Sequence, residues 1–252
     1  MDRKNLLTRF YLKGYRILAH LCFYSENFFI TLLGGLALPF LYLGPVSWSH
    51  RVAQWWCRCL LASATRYLGI TWKVKNLPSK NDHPKLLIAC AHQSVWETLI
   101  LTIIFKTPSF VLKNTLMRVP ILGWFFRRLH MIPIERGKMI SKNFLKKAQK
   151  SLDEERSIVI FPEGKRVPFG KTARCHQGVF FLYKTFNLPV LVLSLNSGFF
   201  WPPRRFFKNS GCIEMQGHPL IEVGLDKETF HKKLCTCIQQ GNACLAQNIQ
   251  IK

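Results

Sequence analysis

From residue 69 onward, short apolar runs alternate with longer stretches whose apolar side chains recur every three or four positions. The runs at 70–74, 86–91, 110–112, 131–134, 157–161, 190–195 and 212–215 are too short for helices and read as strands. The stretches 96–105, 141–155, 177–186 and 227–245 read as helices. Several of the strands are apolar throughout instead of alternating, so both of their faces must be covered. Strand–helix alternation of this kind predicts an α/β fold: a mixed, mostly parallel sheet with helices on both faces. Neither an internal repeat nor a low-complexity segment interrupts it.

The first 66 residues follow a different pattern. Residues 3–16 place Arg3, Lys4, Arg9, Lys13 and Arg16 among Leu, Phe and Tyr, a basic amphipathic arrangement. Between Asn27 and His50 there is no Lys, Arg, Asp or Glu. At ~1.5 Å per residue that stretch could cross a ~30 Å hydrocarbon layer. Gly34, Gly35 and Pro39 interrupt it, and a second apolar stretch follows, carrying Trp55, Trp56 and Arg58. Trp and Arg suit the headgroup layer, and basic flanks on both sides prefer the cytoplasmic face. A helical hairpin that enters and leaves one face satisfies both; a helix pair packed on the core is the alternative. The expected division is therefore an N-terminal two-helix membrane anchor over 1–66 and an α/β domain over 67–252.

Charge narrows the class of partner. The 252 residues include 36 Lys and Arg against 13 Asp and Glu, a formal charge of +23, while 48% are apolar and 19% charged. A chain this apolar buries a core, which excludes disorder as its main state. The basic excess points to nucleic acid or to an anionic membrane with phosphate-bearing substrates. The basic stripes near 142–150 and 204–208 would fit RNA, but RNA binding gives no reason for acids and a His at strand ends. Nine cysteines include the pairs Cys57/Cys59 and Cys235/Cys237, without the paired C-x-x-C spacing of a zinc site. They read as reduced thiols of a cytosol-facing protein. No secretory signal is visible.

The candidate chemistry sits where strands end. After the run LLIACA, His92 emerges, and Glu97 follows five residues later. On one helix such a pair would diverge, so the two meet only if His92 lies in the turn and Glu97 in the first helical turn. A carboxylate that fixes the imidazole tautomer makes the His a general base. The run IVIFPEGKR then displays Glu163, Gly164, Lys165 and Arg166 on a Pro- and Gly-shaped turn beyond another strand, where open α/β sheets bind ligands. Gly164 allows a backbone N–H to approach a ligand closely. In MIPIERG, Arg136 follows a third strand, and Arg suits bidentate contact with phosphate.

Taken in order, H-Q-S-x-W-E-T, I-P-I-E-R, F-P-E-G-x-R and L-P-V…L-N-S-G resemble the 1-acyl-sn-glycerol-3-phosphate acyltransferase family in its bacterial branch, over roughly residues 68–221. The lead-in from Lys113 to Trp124 looks like that family too. The resemblance implies an α/β domain on a two-helix membrane anchor, at the cytoplasmic face of the bacterial inner membrane. It implies transfer of an acyl group from acyl-CoA or acyl carrier protein to the sn-2 hydroxyl of lysophosphatidic acid. His92 would be the base and Glu97 its partner, where the family usually has Asp. Arg136, Arg166 and Lys165 would hold the substrate phosphate, Lys113 and Gly164 would belong to the substrate-binding set, and Glu163 would contact glycerol hydroxyls or order the basic cluster. Lys165 stands where the family has Thr, His130 where it has Gly, and Val192 where it has Pro. His130 could thereby narrow the path between Trp124 and Arg136. A thioester is already activated, so no metal, cofactor or covalent enzyme intermediate is required, and no nucleic acid is expected as a partner.

Overall fold

The computed structural model describes residues 3–79, 83–135 and 141–250, with side chains from Lys13 to Ile249. Three helices open the chain: α1 (Arg3–Leu36), α2 (Leu38–Leu43) and α3 (Val46–Leu68). There follow β1 (Ile70–Lys75), β2 (Leu87–Cys90), α4 (Trp96–Ile104), β3 (Ser109–Lys113), a 3-10 helix (Asn114–Arg118), α5 (Leu122–Arg128) and β4 (Ile132–Ile134). The remainder is α6 (Lys142–Asp153), β5 (Ile158–Ile160), α7 (Gly178–Phe186), β6 (Val190–Leu195), α8 (Ser197–Phe200), β7 (Gly211–Gly217) and α9 (Lys227–Gln250). Every expected strand is present within one or two residues. The short α5, α8 and 3-10 helices carry too few residues to show a period in the sequence.

The seven strands form one sheet in the order β1-β7-β6-β2-β5-β3-β4. All neighbours are parallel except β6 and β7. The chain leaves β2 for β3 two places along the sheet in one direction, and leaves β5 for β6 two places along in the other. Parallel crossovers are right-handed, so α4 covers one face and α7 the opposite one. By the same rule α5 joins α4, and α6 joins α7. α3 packs on α4, while α9 packs on β6 and α7. Covered on both sides, β2 and β6 are buried at every residue.

At the N-terminus, α1 runs along α3. Gly34 and Gly35 do not interrupt α1. The break falls at Ala37, because Pro39 has no N–H for the carbonyl four residues earlier and its ring clashes with it. Gly69, at φ +63, ends α3, with its N–H bonded to Thr65 O at 3.2 Å. One stripe of α3, made of Ala53, Cys57, Leu61, Ala64 and Leu68, is buried and continuous with the core of the sheet. Among the described residues, a single helical stretch, Lys13–Leu36, is long and apolar enough to cross a membrane. The expectation of two membrane helices therefore narrows to one. The outer face of α1 exposes Leu18, Leu21, Phe28, Phe29, Leu32 and Leu33. An apolar helix exposed in this way marks the chain as membrane-associated.

Candidate active site

β2 and β5 are neighbours whose onward connections leave for opposite faces, and open sheets form a ligand crevice at such a point. His92 follows β2 and the Phe161–Arg166 turn follows β5, so both expected motifs meet there. Nδ1 of His92 lies 2.8 Å from Oε1 of Glu97. That oxygen also accepts the backbone N–H groups of Gln93 at 2.8 Å and Ser94 at 2.7 Å. Glu97 thus serves the first turn of α4 as the acidic half of a capping box, and the requirement that brings the His92 pair together is also what starts the helix. Oε2 accepts from Ser197 Oγ at 2.9 Å. With two N–H donors already on Oε1, the imidazole completes the set by donating from Nδ1. Nε2 is then left with its lone pair, the tautomer a general base needs. Glu97 is fully buried, while His92 keeps 15% of its side chain exposed and lines a cavity.

The turn after β5 holds His92 from the other side. The His92 N–H donates to Glu163 Oε2 at 2.6 Å, and its carbonyl accepts from the Val167 N–H at 2.7 Å. The imidazole stacks on Phe161 with centroids 4.0 Å apart and planes 20° apart. Gly164, at φ +63, closes the turn with its N–H on Phe161 O at 3.0 Å. A Cβ there would stand 3.1 Å from the His176 ring, so both conformation and space select glycine. Glu163 is turned inward and buried. Burial pushes its carboxyl up to about 7; the His92 N–H pulls down and the Glu97 charge pushes up further.

The cavity in front of His92 has a volume of about 1030 Å³ and a mainly apolar lining. Lys113, Gly164 and Arg166 line it with His92; Lys165, exposed on the outside of the turn, does not. Arg136 lies outside the described residues. His130 is turned away from this cavity: its Nδ1 is 3.1 Å from Glu154 Oε1, and it lines a separate cavity of about 510 Å³. It does not line the cavity in front of His92, and the path from Trp124 to Arg136 ends outside the described residues. Its φ of +53 gives the family's glycine a physical reason at that position. Val192 is buried within β6, paired with Ala89.

Three contacts were not evident from the sequence. Ser197 completes the shell of Glu97; its only signal was membership of the L-N-S-G run. The Gln93 side chain donates to Leu195 O at 2.9 Å and accepts from the Gly198 N–H at 3.0 Å, tying the His92 turn to the end of β6. Phe161 was visible as part of a motif, though not as the platform beneath His92.

Comparison with known proteins places this geometry in a family. The sequence model of the family described as Acyltransferase matches residues 71–196. A 1-acyl-sn-glycerol-3-phosphate acyltransferase of Pseudomonas aeruginosa is 34% identical over 174 residues, covering 68% of this chain and 67% of that protein. The chloroplastic 1-acyl-sn-glycerol-3-phosphate acyltransferase LPAT1 of Arabidopsis thaliana is 28% identical over 71% of this chain, and the match spans about half of its length (48%). The crystal structure of the 1-acyl-sn-glycerophosphate (LPA) acyltransferase PlsC from Thermotoga maritima shares the fold, with a TM-score of 0.73, 20% identity and coverage of 92% of this chain and 97% of that one. On the strength of the matched family and the Pseudomonas relative, the chain belongs to the acyltransferase family.

Proposed function

We propose that the chain transfers a fatty acyl group from a thioester donor to the sn-2 hydroxyl of 1-acyl-sn-glycerol-3-phosphate, giving phosphatidic acid for phospholipid synthesis. The observation that carries this reading is the buried Glu97–His92 pair opening onto an apolar cavity with Arg166 and Lys113 on its lining. Nε2 of His92 takes the proton of the glycerol hydroxyl as its oxygen attacks the thioester carbonyl. Glu97 fixes the tautomer and stabilises the imidazolium that forms. Expulsion of the thiolate from the tetrahedral intermediate completes the ester, and the proton passes from His92 to that thiolate.

Arg166 and Lys113, with Arg136 from the motif, hold the acceptor phosphate. Lys165 adds positive charge nearby. Glu163 orders the turn through the His92 N–H instead of meeting the substrate. The acyl tail of the acceptor occupies the apolar part of the cavity, which reaches α1 at Thr31 and Gly34. A lysolipid can then present its head to His92 while its tail stays close to the bilayer, which is the use of an apolar helix beside a catalytic crevice. The basic residues on both sides of the uncharged stretch 27–50 favour the cytoplasmic face.

The test is acyl transfer to lysophosphatidate by the full chain, produced in a strain lacking its own enzyme, with acyl-CoA and acyl carrier protein compared as donors. Formation of phosphatidate that depends on His92 supports the proposal. Transfer to other lysolipids with none to lysophosphatidate overturns it.

A further inference from the structure

The cavity extends to both sides of His92. On the α4 face it is walled by side chains of α1, α3, α4 and α5, among them Trp56, Leu99 and Phe125, and by Ile121 just before α5. On the α7 face its lining carries Arg166, His176, Lys184 and Lys227. A lysolipid held through Arg166 and Lys113, with its tail among the apolar helices, leaves His176, Lys184 and Lys227 unused. A transfer reaction has two substrates, and the second must reach His92 from the side the first does not fill.

We infer that the acyl donor approaches along α7, and that Lys184 and Lys227, flanked by His176, form a binding site for the phosphate at the end of its carrier arm. The inference rests on the acyltransferase reading of the site. Coenzyme A and acyl carrier protein both present the thioester on a flexible pantetheine arm that ends in a phosphate, so one basic site on the protein serves either source.

The spacing suits such an arm. A Cβ on Gly178, the first residue of α7, would lie 3.7 Å from Ile160 Cδ1, and Ile160 precedes the ring on which His92 stacks. Lys184 is six residues further along α7, about 9 Å at ~1.5 Å per residue. A phosphate held there is displaced along α7 from the end of β5, as a donor joined to its phosphate by a flexible arm allows. The charge suits it as well. Lys184 and Lys227 are both exposed. Asp226, next to Lys227, is engaged in capping α9, its Oδ1 accepting the N–H groups of Glu228 at 2.9 Å and Thr229 at 3.0 Å.

The experiment compares the wild-type chain with a Lys184→Glu/Lys227→Glu double variant and a Lys184→Gln/Lys227→Gln double variant. Two small donors are used that differ by one phosphate, S-acyl-pantetheine and S-acyl-4′-phosphopantetheine, followed by acyl-CoA and acyl carrier protein. The expected result is a donor KM raised roughly tenfold for the phosphorylated small donor, the scale of one lost charge-assisted contact, with acceptor KM unmoved. The penalty should vanish with S-acyl-pantetheine. Whether it then appears with acyl-CoA, with acyl carrier protein or with both identifies the source of the phosphate. Equal penalties on the two small donors, no penalty on either, or a rise in acceptor KM would overturn the inference. A wild-type chain that forms no phosphatidate with any donor would instead overturn the proposed function on which it stands.

Discussion

The His92 N–H donates to Glu163 Oε2 over 2.6 Å, joining the turns that follow two adjacent strands of the sheet. The residue that holds the proton-accepting side chain is thereby fixed at its backbone by a buried acid and at its ring by Glu97. Two acids that look equivalent in the sequence have different tasks: Glu97 sets the tautomer, and Glu163 sets the position of the turn.

Burial raises the Glu163 carboxyl from 4.5 to about 7. A carboxyl raised on folding stabilises the fold fully below its unfolded value and loses that contribution as pH climbs through the folded value. Glu163 should therefore cost the folded state about 3 kcal/mol between pH 4.5 and 7, following ~1.4 kcal/mol per unit. Glu163→Gln keeps an acceptor for the His92 N–H and should remove that slope. Thermal melting of both proteins across this window should show the wild type losing ground to the variant as pH rises. A constant difference would place the titration elsewhere.

His92→Ala should lower turnover by ~10²–10⁴-fold, the usual contribution of a positioned base, without altering membrane association. Unchanged turnover would remove His92 from the reaction.

Glu97→Asp should stay active, because a carboxylate still faces His92. Glu97→Gln should not. Gln could keep its carbonyl oxygen on the three N–H donors that Oε1 now accepts and turn its amide nitrogen to the Ser197 hydroxyl, but it lacks the negative charge that stabilises the imidazolium. Equal rates for the Gln and Glu forms would reduce Glu97 to a residue that starts α4.

Ser197 touches Glu97 and not the cavity lining. Ser197→Ala should lower kcat by roughly tenfold, the loss of one hydrogen bond to a charged group. Both KM values should hold, and Ser197→Thr should recover part of the rate. A change confined to thermal stability would make Ser197 a packing residue only.

With the apolar face of α1 among acyl chains, the protein should stay with membranes at 1 M salt, where the Debye length is ~3 Å, and leave them in detergent. Release by salt alone would mean that the attachment is purely electrostatic.

The sequence by itself determined the strands, the longer helices of the α/β domain and the residues at the strand ends. Apolar runs and helical periods are local properties, and His92, Glu97 and the Phe161–Arg166 turn are marked by motifs of contiguous residues. Tertiary structure decided what depends on strand order. The order places β2 beside β5 although 67 residues lie between Cys90 and Ile158 in the chain, and so brings Glu163 to the His92 N–H and Phe161 against its ring. It also carries Ser197 to Glu97 from 100 residues away. The path of α1 was open to misreading for the opposite reason: Gly34 and Gly35 suggest a break, yet a helix tolerates glycine where a neighbour such as Ile121 packs against it, and only Pro39 removes a hydrogen bond that the helix cannot replace. The outward turn of His130 likewise rests on Glu154, a partner 24 residues away whose position no local pattern announces.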